Sequence, residues 1–443
     1  MLDPEDPQLL EVRDPLYTVP ASEAMPPPIH KDNRDAGGSG LWDIPSEPSG
    51  AGAVKGSGTQ AAAQTLPVPG PPASWEPAAN NDVSYGIVTR GFGLSGKPAQ
   101  AVPPKTAPKR AGANGRYDVV RVFFGTDRVV SVPKDGPLQF TSDHAPAVTF
   151  GSVDVSIPRN HVTGAIESPS VLRMEFHRDP ERDVTILHVA LSPYEQFRAE
   201  MRTKALNAST PGVLLFIHGY NVSFEDAAMR TAQMAYDLDF PGAPVFFSWP
   251  SRGRLAGYFD DEQSIERAEA DIEQFVTQVL ASSPGAYLYV IAHSMGNRGM
   301  TRALMNFARN HPDEGYRLRE VVLAAPDIDT DVFVNQIAPG LIAIGAPVTL
   351  YASSTDRALS ISRMIHGGPR AGDSGENLVL LKGIETIDVT NVDTDLTGHS
   401  YVGDRRTILS DLYYIIQADT RASKRFGLSH RTRNGSDYWV FNR

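Results

Sequence analysis

The residue best suited to chemistry is Ser294, in the motif Ala292-His293-Ser294-Met295-Gly296. The motif follows an apolar run at 287–291 and precedes a helical pattern at 297–308. Small residues two positions on either side of a serine let a strand and a helix approach closely, and the turn between them lifts the hydroxyl off the sheet. The pattern predicts a nucleophile elbow, although these five residues alone would also suit an ordinary exposed serine.

A second motif supports the elbow. About 75 residues earlier, the separation expected when one strand and two helices intervene, a buried-strand pattern ends in His218-Gly219-Tyr220-Asn221. Acyl transfer needs two backbone N–H groups aimed at the developing oxyanion, and the natural donors are Met295 and Tyr220. An ordinary strand-ending turn is the alternative. The residues around the two motifs that should support the site by local packing and hydrogen bonding are His218, Gly219, Asn221 and His293.

A serine hydroxyl also needs a general base, and a carboxylate must hold the tautomer of that base. In this strand–helix architecture the chain order is Ser, acid, His, each placed after a strand. We expect Asp356, after the strand pattern at 348–352, to be the acid. Asp327 and Asp329 follow the preceding strand and compete with it. Both could instead cap a helix, and Asp327 could brace the site.

Two histidines could be the base. His399 lies in Thr397-Gly398-His399-Ser400-Tyr401, after the last predicted strand and just before a helical pattern at 407–416. That position suits the final member of the triad, so we favour His399 over His366, which lies in a glycine-rich segment. A lone loop histidine is most often a solvated side chain, and only the serine elbow gives His399 a catalytic interpretation.

Composition narrows the functional class. The 443 residues are 41% hydrophobic and 21% charged, enough to bury the core of one large domain. A net charge of −11 argues against a nucleic-acid partner, and the absence of cysteine excludes a thiolate nucleophile. The acidic start and the lack of a long apolar run predict a cytoplasmic protein with neither signal peptide nor transmembrane segment.

No cofactor or metal is expected. Segment 91–97 has the glycine and lysine spacing of a phosphate-binding loop, but Pro98 stands where its helix would have to begin. Asp388, Asp393 and Asp395 lack the glycine and the terminal glutamate of a calcium loop. We interpret the two segments as a flexible linker and a polar loop.

The chain divides near residue 115. Residues 1–115 are rich in Pro, Gly and Ala and should be mostly disordered, whereas residues 116–443 should form the catalytic domain. Trp42, Trp75 and Tyr85 are isolated aromatic residues in this tail. They predict a docking contact with the chain's own domain or with a protein partner.

Alternation of strand and helix patterns predicts the fold class. Helical periodicity at 265–279 and 300–307 lies between the later strands, and no helical pattern separates the early ones. We expect an α/β fold with a mostly parallel central sheet, helices on both faces and an antiparallel start. The predicted strands are 119–124, 147–157, 184–191, 213–217, 245–249, 287–291, 320–324, 348–352 and 386–389.

Several short motifs are specific when taken jointly. They are Phe123-Phe124-Gly125-Thr126-Asp127-Arg128, Phe150-Gly151, Ser156-Ile157-Pro158 with His161, the two motifs around Gly219 and Ser294, Phe247-Ser248-Trp249-Pro250-Ser251, Ala325-Pro326-Asp327 and Asp356-Arg357-Ala358-Leu359. Over about residues 117 to 404 the chain resembles the alpha/beta-hydrolase superfamily, and more narrowly its bacterial branch catalogued as domain of unknown function nine hundred. The resemblance implies a serine hydrolase fold. Ala292 replaces the superfamily's usual glycine, a small change that keeps the nucleophile credible.

These features predict a hydrolase that cleaves carboxylic esters through an acyl-enzyme. Residues 331–345 form a short connection between two strands, too short for a large lid, which favours small or medium esters. Trp249 should either line the pocket rim or pack in a tight turn. The alternatives are acyl transfer to an alcohol by the same acyl-enzyme, and a non-catalytic scaffold or binding protein on a hydrolase fold.

We predict that a chain beginning near Ala113 stays folded and hydrolyses a small ester, because the tail composition cannot supply a packed core. Circular dichroism and an ester assay on the truncated and full chains check this. Loss of the fold on truncation would show that the tail contributes strand or core and that the predicted boundary is wrong.

Overall fold

A computed structural model describes residues 110–111, 115–134, 136–167, 178–254, 257–390 and 405–441. All of them lie in one compact unit, Gly96–Arg443. The tail aromatic residues and His399 are outside the described residues, so the expectations for them stay predictions. The boundary near residue 115 also stays a prediction. Sheet hydrogen bonding begins just before it, at Arg110–Ala111.

The strands of the described residues form one twelve-stranded sheet. Their bounds are β1 Arg110–Ala111, β2 Tyr117–Ser131, β3 Gln139–Pro158, β4 Thr185–Ser192, β5 Gly212–Ile217, β6 Ala243–Ser248, β7 Tyr287–His293, β8 Leu318–Ala324, β9 Val348–Ala352, β10 Glu385–Asp388, β11 Leu428–Arg433 and β12 Ser436–Phe441. The order across the sheet is β11-β12-β10-β9-β8-β7-β5-β6-β2-β3-β4, and β1 pairs with β2.

Strand direction changes along the sheet as the pattern predicted. β2, β3 and β4 pair antiparallel, and from β2 through β6, β5, β7, β8, β9 and β10 to β12 every pair is parallel. Hairpins join antiparallel strands directly, whereas parallel neighbours need crossovers, which the helices supply. All nine predicted strands are present. β1 and the terminal hairpin β11–β12 were not predicted.

Helices cover both faces of the sheet. Their bounds are α1 Tyr194–Leu206, α2 Phe224–Asp237, α3 Tyr258–Arg267, α4 Glu269–Ser282, α5 Gly296–Asn310, α6 Thr330–Val332, α7 Ala338–Ala343, α8 Arg357–His366 and α9 Arg405–Ala418. One core contains residues of α1, α3, α4, α5 and α7, and the other contains residues of α2 and α9. Phe123 and Phe124 of β2 face opposite cores, because successive strand side chains point to opposite faces.

Parallel pairing brings the site together. Because β5, β6, β7, β8 and β9 run in one direction, the loops after them lie along the same edge of the sheet. Three non-glycine residues in these loops have a positive φ: Asn221 at 60°, Ser294 at 48° and Ala325 at 44°. Backbone strain of this kind clusters at functional sites, and here it lies after β5, β7 and β8.

A buried histidine ties the loop after β3 to α2. The imidazole of His161 is 2% exposed, with Nδ1 2.9 Å from Glu167 Oε2 and Nε2 2.9 Å from Asp237 Oδ1. Burial disfavours the imidazolium, but the hydrogen bonds to Asp237 and Glu167 outweigh burial and raise the pKa of His161 to about 9. The protonated histidine therefore stabilises the folded chain.

The contacts of His161 with Glu167 and Asp237 predict that the stability of the fold depends on pH. The stabilisation is complete below the unfolded pKa of about 6.5 and is lost as the pH rises through about 9, since the folded state then holds no extra proton. Urea unfolding should show that His161→Gln destabilises strongly at about pH 6 and less at about pH 9.5. His188→Gln, exposed on β4, is the control and should show no such difference. An equal loss at both pH values for His161→Gln would contradict this account.

Candidate active site

Ser294 occupies a sharp turn between β7 and α5, with φ 48°. A non-glycine residue in this region costs about 1 kcal/mol or more, so neighbouring bonds must hold it. Its N–H donates to Ala324 O at 2.9 Å, and its carbonyl accepts from the Asp327 N–H at 3.2 Å and from Asn297 Nδ2 at 3.0 Å. The turn is therefore tied to β8, to the loop after β8 and to its own helix.

Two glycines allow the loops to meet at Ser294. A Cβ on Gly296 would lie 2.2 Å from His218 O, so α5 could not begin so close to β5 with a larger residue there. A Cβ on Gly219 would lie 3.0 Å from Ser294 Cβ and 2.9 Å from His293 O. The predicted oxyanion loop thus packs directly against the predicted nucleophile.

The hydroxyl of Ser294 is buried without a hydrogen-bond partner among the described residues, and the residue is 1% exposed. Buried polar groups are normally bonded, so an orphan of this kind marks a place where a ligand or a reacting group belongs. Met295 has helical dihedrals and precedes the 15-residue α5. Its N–H lies at the positive end of that helix, where it favours negative charge. Tyr220 is buried after β5, and its ring packs 5.3 Å from that of Tyr258.

Asp356 follows β9, the second strand beyond β7 in the sheet, and is 8% exposed. It is the N-cap of α8, where Oδ1 accepts from the Leu359 N–H at 2.9 Å. Capping fixes the carboxylate at the carboxyl edge of the sheet, which is the edge that also holds Ser294. The position is compatible with a triad acid, and the assignment stays a prediction.

The predicted base, His399, is outside the described residues. The rival His366 is described and lies at the opposite end of α8 from Asp356. Its Nδ1 bonds to Ser362 O at 3.0 Å and its Nε2 to Glu262 Oε1 at 2.9 Å. A helix of this length separates its ends by about 15 Å, so Asp356 and His366 cannot form a hydrogen-bonded pair.

The carboxylate of Asp327 is completely buried and lies in a polar cluster. Its Oδ2 accepts from Tyr258 at 2.6 Å and from Arg298 Nη2 at 3.4 Å. Its Oδ1 accepts from Arg370 Nε at 2.8 Å and from the Ser362 hydroxyl. Burial alone would raise the pKa of Asp327, but Arg298 and Arg370 hold it below its usual value. Donors thus engage both carboxylate oxygens, which suits a residue that holds the neighbouring loops in place.

Asp329 caps a helix, as the alternative for it expected. Its side chain accepts from the N–H groups of Asp331 and Val332 at the start of α6. The segment that follows is packed against the sheet, with Phe333, Ile337 and Leu341 buried in the core. The residues between β8 and β9 therefore form a packed connection.

His218 and Trp249 stack on each other, and the His218 carbonyl lies against Gly296 of the elbow. Trp249 is fully buried, its ring stacks 5.0 Å from the ring of His218, and its Nε1 donates to His218 O at 2.8 Å. Trp249 is thus packed in the interior, which agrees with the second of its two alternatives, and its role in the site stays a prediction. Burial and then Arg128 lower the pKa of His218 to about 3, so its imidazole is neutral. Asn221 N–H donates to Asp261 Oδ2 at 3.2 Å, which fixes the end of the same loop.

Sequence reasoning did not assign a role to Arg128. This residue is 2% exposed and donates to Ser248 Oγ at 2.9 Å, to Ser251 O at 3.0 Å and to Val222 O at 3.0 Å. It thereby ties the loop after β6 to the loop after β5. Arg128 ends one of the motifs that carry the family resemblance, which marks the residue as important. Its role could not be assigned because these hydrogen-bond partners lie 94 to 123 residues further along the chain.

The described residues contain no helix long and apolar enough to cross a membrane. Within the same ranges, no group of three or more His, Asp or Glu side chains is arranged to hold a metal ion.

Comparison with known proteins gives a family match. A family described as "Alpha/beta hydrolase of unknown function (DUF900)" matches residues 194–415. The match begins in α1 and runs into α9, so it includes both motifs around Ser294 and the positions of Asp356 and His399. The predicted alpha/beta-hydrolase fold and family are confirmed. No curated protein matches the sequence.

Solved structures also match. A predicted CIB-like hydrolase from Thermoplasma acidophilum is 12% identical, with 47% of this chain and 88% of that chain covered and a TM-score of 0.29. Phospholipase PlaB from Legionella pneumophila, in complex with thio-NAD, is 12% identical, with 52% of this chain and 67% of that chain covered and a TM-score of 0.25.

The two acids can be separated by mutation. Asp356→Asn should lower kcat by about three to four orders of magnitude, because an amide holds the wrong histidine tautomer. Asp327→Asn should instead lower the free energy of unfolding by about 3 kcal/mol, because the guanidiniums of Arg298 and Arg370 lose a fully buried carboxylate partner. Ester turnover and a thermal melt on both variants check this. The reverse ranking would move the role of triad acid to Asp327.

Proposed function

The chain belongs to the family of alpha/beta hydrolases of unknown function, and we propose that it is a serine hydrolase that cleaves carboxylic esters. One observation carries the proposal. The hydroxyl of Ser294 is buried, lacks a partner among the described residues and stands on a left-handed turn at the start of α5. Such a turn aims a nucleophile at a carbonyl bound above the sheet edge.

In the first half-reaction, Ser294 Oγ attacks the acyl carbon of the ester while His399 accepts the hydroxyl proton. Asp356 holds the imidazole in the correct tautomer. The carbonyl π electrons move to oxygen, and the N–H groups of Met295 and Tyr220 stabilise the oxyanion. The tetrahedral intermediate collapses, the bond to the alcohol oxygen breaks, and His399 returns the proton to the leaving alcohol.

In the second half-reaction, water replaces the alcohol. His399 takes a proton from water, the resulting hydroxide attacks the acyl carbon of the Ser294 ester, and the carboxylic acid leaves as the serine recovers its proton. The short distance between the Gly219 loop and Ser294 supports this proposal, because a pre-positioned oxyanion donor needs no rearrangement during the reaction.

The packing between β8 and β9 supports small or medium esters as substrates. Phe333, Ile337 and Leu341 face the core, so this segment is committed to packing against the sheet. A mobile cover over a long acyl chain would need apolar residues that are not already used in the core. We therefore propose highest kcat/KM on short acyl chains.

We predict that a fluorophosphonate labels Ser294 and that Ser294→Ala abolishes both labelling and ester hydrolysis while the melting temperature changes little. The physical reason is that the probe reacts with a serine whose hydroxyl is activated by a general base and whose oxyanion is stabilised by N–H donors. Mass spectrometry of the labelled peptide and an ester panel of increasing acyl length provide the measurement.

Ser209→Ala, on an exposed loop after α1, is the matched control and should label and turn over like the parent. Undiminished labelling of the Ser294→Ala variant would show that Ser294 is not the nucleophile. A parent chain that is not labelled at all would favour the scaffold alternative.

A further inference from the structure

We propose that Arg298 is a positioning residue for Ser294. It closes a ring of bonds, through Asp327, that keeps the strained nucleophile turn in one orientation. The inference rests on the proposed role of Ser294 as the nucleophile. It concerns a residue that touches no reacting atom and acts through the backbone of the turn.

The ring has three links. Arg298 is the third residue of α5 and lies four residues after Ser294, so the short stretch of chain from the turn into the helix joins the two residues. Arg298 Nε donates to the Asp327 carbonyl at 2.6 Å. The Asp327 N–H donates to the Ser294 carbonyl at 3.2 Å. A shift of the serine peptide plane would break the last link, so the ring opposes relaxation of the left-handed turn.

Asp327 can serve as the fixed point because its own backbone is anchored. It follows Ala325, which has a φ of 44°, and its carboxylate accepts from Tyr258 and Arg370. Arg370 is itself 3% exposed and belongs to a segment whose Gly372 N–H donates to Pro326 O at 2.9 Å. The loop after β8 is thus held by α3 through Tyr258 and by the segment around Arg370. Arg298 connects this fixed loop to α5.

The charges of the cluster balance. Arg298 and Arg370 face Asp327, and the remaining guanidinium nitrogen of Arg298, Nη1, contacts Glu262 of α3. Two cations and two anions therefore meet in a largely buried space. Lysine at position 298 would keep the charge but lose the planar fork that reaches the Asp327 carbonyl, carboxylate and Glu262 together. Arg298→Lys thus tests the hydrogen-bonding geometry of the guanidinium while the positive charge is kept.

The test compares Arg298→Lys with Arg302→Lys. Arg302 lies one turn further along α5, is 45% exposed and pairs with Glu269 on the surface. Titration with a fluorophosphonate counts the competent sites of each protein before kcat and KM are measured on a short ester. For Arg298→Lys we expect kcat per titrated site to fall about 10- to 100-fold with KM within twofold, because misplacement of a nucleophile costs turnover. Arg302→Lys should match the parent.

A purely structural role would lower the number of titrated sites but leave kcat per site unchanged, and that result would overturn the proposal. If Arg298→Lys fails to fold, Glu262→Gln weakens the contact with the same guanidinium and should lower kcat per site in the same direction, with His366→Gln, which removes the other partner of Glu262, as its control. No fall in Glu262→Gln would also overturn it.

A second measurement keeps this proposal distinct from the proposed function. Hydrogen exchange of the peptide spanning Ser294 to Arg298 should be faster in Arg298→Lys than in Arg302→Lys. If the parent chain is not labelled by the phosphonate, the proposed function fails and exchange alone decides the positioning role. Equal exchange in the two variants would then count against Arg298.

Discussion

The site depends on holding Ser294 in a left-handed backbone conformation that a serine does not adopt by preference. The sheet makes this possible, because β5, β7 and β8 end side by side and β8 presents the carbonyl of Ala324 to the turn. Ser294 N–H continues the hydrogen bonding of the sheet to Ala324 O, while Gly219 and Gly296 leave room for the neighbouring loops. The fold and the proposed chemistry therefore meet at one residue, whose left-handed turn is held by bonds from the neighbouring loops.

Buried arginines fix those loops in an otherwise acidic protein. Arg128 ties the loops after β5 and β6, whereas Arg298 and Arg370 converge on the loop after β8. Guanidinium suits this task because it presents five donors in a rigid plane, enough to satisfy several loop carbonyls at once. Burial lowers the pKa of Arg128 to about 10, with Asp127 opposing the shift, so the side chain stays protonated near neutral pH. The edge of the sheet that holds Ser294 is thus cross-linked by guanidiniums that are largely buried.

Local sequence patterns predicted the strands and most helices, whereas the order of the strands in the sheet decides which side chains come into contact. The buried strands and the turn at Ser294 are legible because each is a short apolar run ending in small residues. α2 was expected only as one of the two helices between the Gly219 and Ser294 motifs and received no bounds, because its buried residues include the polar Arg230, Thr231 and Gln233, which interrupt the apolar pattern. β11 was not predicted because its residues, Leu428–Arg433, are mostly polar and it pairs with β12 alone. Arg298 and Arg370 could not be assigned to Asp327 from sequence, since only the crossover connections bring these side chains together.

The competition between capping and catalysis also has a physical resolution. A carboxylate offers about four lone-pair sites, so accepting one backbone N–H as an N-cap does not exhaust it. Asp356 uses Oδ1 to accept from Leu359 N–H, and this bond orients the group at the sheet edge. The cap and the triad acid are therefore compatible roles for one residue. In Asp327, guanidinium and hydroxyl donors engage both carboxylate oxygens. A saturated carboxylate would have to give up a buried partner before it could orient an imidazole, so the same sequence motif that suggested a second acid is better suited to holding the nucleophile in place.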